Sequence, residues 1–219
     1  MFWQETTKEE VFIPPDTIQD LAFNIHSKIL PMDHAYPLAQ AVLQHLPWLE
    51  EVGGGIFDIS VSDGNGWEQN KDGFYYPSRR SKLILRLPKT HLDQALSLVG
   101  KTLSLGEYEV AVVKALKPKL LSDMPVVFAK GVVCEADMSE NDFLQQCYQE
   151  LQDLGIQVKK MLAGLDTTLQ TNQGLIHAKS LMIADLGKAE SVRIQEVGLG
   201  PFRTLGCGLF LPHKDIETL

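Results

Sequence analysis

The sequence predicts an α+β protein built from two tandem ferredoxin-like (βαββαβ) units, one spanning 1–117 and one spanning 118–219. Three observations carry this. The chain has 219 residues with 44% apolar content, enough for one large core or two of roughly 100 residues each. Segments with strand-like alternation and helical spacing follow one another in the order βαββαβ, and that order returns in the second half. Between the halves, Pro118 to Pro125 reads as a linker.

In the first half, Leu21, Phe23 and Ile25 alternate with Ala22, Asn24 and His26 as a half-buried strand does. Asp33 stands where it would cap a helix, Pro37 is tolerated in the first turn, and Leu38, Val42 and Leu46 repeat at helical spacing. Phe57, Ile59 and Val61 alternate into a second strand, and Leu83, Leu85 and Leu87 into a third. Thr90 to Asp93 resembles a capping box for a helix ending at Gly100, and 107–116 supplies the fourth strand. In the second half, 126–133 reads as a strand, and Ser139 caps a helix with Phe143, Cys147, Leu151 and Leu154 on one side. Strands at 161–165 and 176–186 flank a polar turn region at 166–174. A helix over 189–197 and a strand over 208–212 close the unit. Helices are expected to cover one face of each sheet and leave the other open.

No apolar run approaches the ~20 residues of a membrane span, and the N-terminus lacks the basic-then-apolar order of a signal peptide, so a soluble, cytoplasmic protein is expected. Cys134, Cys147 and Cys207 are odd in number and show no CxxC spacing, which points to reduced thiols rather than a disulfide framework or zinc knuckle. A net charge of −8 argues weakly against a polyanionic partner. The charge is segregated, however: Ser78 to Lys119 holds nine Lys or Arg against three acids, whereas the first twenty residues hold five acids and one lysine.

Between the last helix and the last strand, Gly198, Gly200, Gly206 and Gly208 put four glycines in eleven positions. Glycine loses the most backbone freedom on folding, so this density asks for dihedrals closed to other residues or a ligand backbone close enough to clash with any Cβ. Arg203 at the centre adds a bidentate phosphate donor. The segment is not a P-loop, having no GK[ST], and it follows a helix and precedes a strand, unlike a dinucleotide fingerprint. A purely structural tight turn explains one or two of these glycines; with Arg203 at the centre, the other reading is an RNA-backbone cradle.

Three blocks then carry a family resemblance: Leu30-Pro-Met-Asp-His-Ala-Tyr-Pro-Leu38, Ser78-Arg-Arg-Ser-Lys-Leu-Ile-Leu-Arg-Leu-Pro88, and the run from Gln195 through the glycine-rich segment to Pro212. Through them the chain resembles the CRISPR-associated endoribonucleases that process precursor guide RNA, in the superfamily of repeat-associated RNA-binding proteins with paired ferredoxin-like domains. The likeness covers about Leu21 to Pro212. It implies cleavage of a CRISPR repeat hairpin without metal or other cofactor, and retention of the mature guide RNA. The implied partners are that RNA and the other subunits of a CRISPR effector complex, serving defence or a transposition machinery.

Metal-free RNA cleavage uses the ribose 2′-hydroxyl as nucleophile and leaves a 2′,3′-cyclic phosphate, so the enzyme must manage two proton transfers and the phosphorane charge. His34 is the leading candidate, because a helix start favours the neutral, base-competent imidazole and offers open N–H groups to phosphate. His26 is the rival, pointing away from Phe23 and Ile25. Tyr36 stands ready to orient the scissile nucleotide or donate a proton, or else packs. His45 and His91 fall on helices with structural roles, and His177 and His213 have no supporting motif. Arg79 and Arg80 are expected to clamp RNA phosphates, with Lys82 and Arg86 as weaker members. Phe74, Tyr75 and Tyr76 either stack bases or fold onto the core. Two other readings remain: a non-catalytic subunit that grips guide RNA, and a regulatory module whose glycine loop holds an anionic metabolite.

Overall fold

Buried and half-exposed residues alternate along nine positions from Ile18 to His26, and this strand becomes the centre of the first sheet. A computed structural model of the chain describes residues 12–59 and 73–213. In chain order the first half comprises β1 (Ile18–His26), β2 (Leu30–Pro31), α1 (Ala35–His45), β3 (Gly55–Phe57), β4 (Phe74–Tyr75), β5 (Lys82–Pro88), α2 (Leu92–Ala95), β6 (Thr102–Leu105), β7 (Tyr108–Ala115) and β8 (Lys119–Leu120). The second half comprises β9 (Val127–Cys134), α3 (Glu140–Asp153), β10 (Lys160–Thr171), β11 (Gly174–Ala184), α4 (Lys188–Val197) and β12 (Phe210–Pro212).

The first sheet runs β3-β5-β1-β7-β6, with β8 also paired to β1, and the second runs β10-β11-β9-β12; every pairing is antiparallel. Both place the first and third strands of a βαββαβ unit side by side at the centre, which is the ferredoxin-like arrangement. Leu21, Phe23, Ile25, Leu83, Leu85 and Leu87 project to the side where α1 supplies Leu38, Ala41 and Val42 and form the first core. Phe143, Cys147 and Leu151 repeat every fourth residue on α3 and close the second core over Val127, Ala129, Leu181 and Ile183. Ser139 caps α3 as expected, its hydroxyl accepting from the Asp142 N–H at 3.2 Å.

Four local expectations change. The polar stretch 166–174 is mostly strand, with Thr167 opposite Ala178 and Thr168 opposite His177, leaving Asn172 and Gln173 as the turn. Threonine is β-branched, so these residues suit a pleated, outward-facing strand despite their polarity. The stretch before the fourth strand is itself a strand, β6, whose Leu103 and Leu105 are buried. The second strand ends at Phe57; Ile59 is buried beyond it, and Val61 lies outside the described residues. Finally, the stretch read as a linker is structured: β8 pairs with β1, and Gln195 of α4 donates to the Ser122 carbonyl at 2.6 Å while Ser191 donates to that of Met124 at 2.6 Å.

The far side of the first sheet is not open where Arg86 emerges. Arg86 was expected to contact RNA, yet it is wholly buried. Its Nε and Nη2 hold the Asp20 carboxylate at 2.7 and 2.8 Å, and its Nη1 donates to the carbonyls of Gln195 and Phe210 at 3.0 and 2.6 Å. The Phe57 ring lies 4.9 Å from the guanidinium. Arg86 therefore pins the end of α4 and the start of β12 to the first sheet, and no phosphate has access to it. Among the described residues, no helix is long and apolar enough to cross a membrane. Arg86→Ala would strand the Asp20 carboxylate and two carbonyls, and urea denaturation should register a loss of about 3–5 kcal/mol.

Candidate functional site

His34 follows the short pairing of β2 with β4, Leu30 opposite Tyr75 and Pro31 opposite Phe74, and occupies the N-cap position of α1. Asp33 was expected to hold that position. Its carboxylate instead accepts from the Gln170 N–H at 3.0 Å, joining the start of α1 to the β10–β11 hairpin. The His34 ring is completely buried. Its Nδ1 donates to the Pro31 carbonyl at 2.8 Å, and its Nε2 stands 2.7 Å from Asp58 Oδ1. Tyr75 meets the ring edge-on, with centroids 5.8 Å apart. The second Asp58 oxygen, Oδ2, pairs with Nζ of Lys130, which comes from β9.

Nδ1 thus makes a hydrogen bond to the Pro31 carbonyl, while Nε2 is in ion-pair contact with Asp58 without meeting hydrogen-bond geometry. Burial disfavours the protonated ring, but the Asp58 carboxylate and the Pro31 carbonyl outweigh it, and the His34 pKa rises above its ordinary value. Burial also pushes the Asp58 carboxyl up, and contact with His34 and Lys130 overcomes this to hold it well below the usual carboxylate range. The helix start was expected to favour the neutral imidazole; the contact with Asp58 shifts the balance the other way.

Asp58 and Lys130 belong to no motif and were missed. They become partners only when β9 of the second unit is laid beside the end of β3. The other candidates are dispersed. Tyr36 is half-buried in the first turn of α1. His26 is exposed at the end of β1 and lines a separate groove with Lys28, Thr102, Glu107 and Glu109. Arg79 and Arg80 are exposed in a turn held by Ser78 and Ser81, and Lys82 is half-buried with its ammonium on the Arg79 carbonyl at 3.0 Å. That turn follows Tyr75, whose ring meets His34, by a few residues. Of the remaining histidines, His91 packs its ring on Trp48, with centroids 4.8 Å apart.

The glycine-rich segment folds upon itself and on the first unit. Gly208, at φ +65°, donates to the Gly131 carbonyl at 2.8 Å and accepts from the Leu199 N–H at 3.1 Å, and a Cβ there would meet the Leu199 oxygen at 1.9 Å. A Cβ on Gly198 would meet Arg203 Nη1 at 2.3 Å. The backbone that approaches these two buried glycines is the protein's own, which corrects their reading as RNA contacts. Gly200 is exposed with open space around its Cβ direction, and Gly206 faces the Ile56 carbonyl and the Asp58 N–H. Arg203 donates through Nη2 to the Glu196 carbonyl at 3.0 Å, leaving Nε and Nη1 buried without a partner. Burial, with Arg86 nearby, pulls its pKa down to about 10. Phe202, between Pro201 and Arg203, is 45% exposed at φ +64°, a conformation that costs a non-glycine residue roughly 1–2 kcal/mol. Composition offered no signal for that strained aromatic.

Residues 19–215 match the family model described as Cas6 Crispr. Over 200 residues, 88% of this chain and 80% of the relative, the sequence is 31% identical to the CRISPR-associated endonuclease Cas6 of Myxococcus xanthus. Among solved structures the fold is similar to a CRISPR associated protein Cas6 at a TM-score of 0.62 and 10% identity, covering 90% of this chain and 100% of that one. It is similar also to a Cas6-related structure from Pyrococcus furiosus at a TM-score of 0.59 and 15% identity, covering 92% and 100%.

The buried charges give stability a pH dependence. His34 has a raised folded pKa, so its contribution is complete below about pH 6.5 and fades as pH climbs through the folded value. Asp58 has a depressed one, so its contribution is complete above about pH 4 and fades as pH falls through the folded value. The stability advantage of wild type over Asp58→Asn should peak between those limits and shrink towards pH 9 in denaturant titrations; an advantage unchanged from pH 5 to 9 would contradict a raised His34 pKa. For the loop, Gly208→Ala should unfold at markedly lower denaturant than Gly200→Ala, whose penalty is confined to about 1 kcal/mol of left-handed strain.

Proposed function

Because the chain belongs to the Cas6 family, we propose that it is a metal-independent endoribonuclease that cuts CRISPR repeat RNA in precursor transcripts and keeps the mature guide RNA as product. The observation that carries the reading is His34 at the start of α1 with its Nε2 2.7 Å from the Asp58 carboxylate, a contact that favours a protonated ring. In the reaction the ribose 2′-oxygen bonds to phosphorus and releases its proton to solvent, and the bond from phosphorus to the 5′-oxygen breaks. His34 gives its Nε2 proton to that departing oxygen, leaving a 2′,3′-cyclic phosphate and a 5′-hydroxyl. Here the histidine serves as general acid. RNA must gain access to Nε2, which faces Asp58, and Arg79 and Arg80, in the turn that follows Tyr75, present positive charge to a phosphate. Lys82, Gly200, Gly206 and Arg203 extend the proposed RNA contacts, with Arg203 requiring the loop to open because its unpartnered nitrogens are buried.

A second reading, a non-catalytic subunit that grips guide RNA, is favoured by the complete burial of His34 and the engagement of both its nitrogens. Incubation with a labelled CRISPR repeat in excess EDTA separates the two. The nuclease reading expects wild-type cleavage with a cyclic phosphate end, a loss of roughly 10²–10⁴-fold in His34→Ala with RNA affinity retained, and near-normal cleavage by His26→Ala. Tight binding of the repeat without any cleavage by wild type would leave the second reading.

A further inference from the structure

Exposure rises steadily along the chain of charges: the His34 side chain is 0% exposed, Asp58 18% and Lys130 58%. What RNA can touch first is therefore the ammonium of Lys130, donated by the second unit to a site otherwise built from the first. Burial pulls the Lys130 pKa down, but Asp58 more than restores it, so the group is a fixed cation throughout the neutral range. Tyr75, whose ring meets His34, is also near enough to act on Lys130. The carboxylate end of this pair is mostly enclosed while the ammonium end reaches solvent, so the lysine is the member open to a ligand.

The two oxygens of Asp58 divide their partners, Oδ1 to His34 and Oδ2 to Lys130. An ammonium has three N–H donors, so Lys130 can keep one on Asp58 and offer the others to a phosphate without breaking the pair. The phosphate would then stand beside the same carboxylate that holds His34 Nε2. Charge on the phosphoryl oxygens grows as the 2′-oxygen attacks, and a fixed cation in a partly dry site stabilises that growth. Building on the endoribonuclease reading of this site, we propose that Lys130 is a catalytic residue that binds the phosphate at the cut, and that Asp58 is the positioning residue that sets His34 and Lys130 on opposite sides of one carboxylate.

Single-turnover cleavage of a labelled CRISPR repeat in EDTA tests this, with wild type, Lys130→Gln, Lys130→Arg and Asp58→Asn, each checked for folding by its denaturation midpoint. Lys130→Gln should slow cleavage about 10²-fold with little change in midpoint, and Lys130→Arg should recover most of the rate. Asp58→Asn should slow cleavage and move the alkaline limb of the pH–rate profile to lower pH, because His34 loses the carboxylate that keeps it protonated; a structural strut would leave the profile in place. A parallel arm measures the affinity for a repeat with a 2′-deoxy nucleotide at the cut as salt is varied. Loss of one phosphate contact in Lys130→Gln should flatten the slope of log affinity against log salt by about 0.7. Cleavage by Lys130→Gln within about threefold of wild type, with the salt slope unchanged, would overturn the proposal. If wild type binds the repeat but does not cut it, the nuclease reading fails by itself, and the salt slope still decides whether Lys130 holds phosphate. If wild type neither binds nor cuts, both fall.

Discussion

One guanidinium decides how the two sheets meet. Arg86 leaves the first sheet on the side away from its helices, takes the Asp20 carboxylate from the neighbouring strand, and spends its remaining donor on the carbonyls of Gln195 and Phe210. Those carbonyls belong to the end of α4 and the beginning of β12, the two ends of the glycine-rich segment. A buried arginine is tolerated only when its donors are met, so the segment between its acceptors is confined to the junction. The contacts that cross between the units follow from that placement. Gly55 lies against Leu209, Gly206 against the backbone of Ile56 and Asp58, and Thr17 donates to Glu196.

The charge chain at His34 is the chemical outcome of the same junction. Asp58 follows β3, the strand against which the glycine-rich segment rests, and Lys130 is next to Gly131, whose carbonyl accepts from Gly208. A histidine enclosed by β2, β4 and α1 thereby gains a carboxylate from its own unit and, through it, a lysine from the other. The electrostatic consequence is opposite to that of a histidine at an isolated helix start. A paired carboxylate in contact outweighs a diffuse dipole that solvent and the chain's own turn already moderate.

The glycine-rich segment owes its composition chiefly to internal packing. Gly198 and Gly208 permit the chain to pass against the Arg203 side chain and the Leu199 carbonyl, where a methyl group has no room. The residues left facing outward are Gly200, Pro201 and Phe202, with two nitrogens of Arg203 unpartnered beneath them. Structural need and the proposed RNA contact are thus divided within one loop: tight glycines hold its shape, and the exposed tip remains available.

Much of the fold was legible because it depends on period and punctuation. Strands β1 and β5 and helix α3 follow from residues two or four apart, and Ser139 and Gly155 mark helix ends by chemistry local to the chain. His34 also stood out by its place in the sequence, but its state did not. The sequence by itself determined two ferredoxin-like units, a glycine-dense connection between the last helix and strand, and a histidine at the start of the first helix. Only the tertiary structure decided that Arg86 is an internal pin, that Gly198 and Gly208 serve the protein's own backbone, and that His34 shares Asp58 with Lys130. Those outcomes rest on contacts between residues as far as 124 positions apart, and neither periodicity nor propensity carries information about which distant acceptor a buried cation will meet.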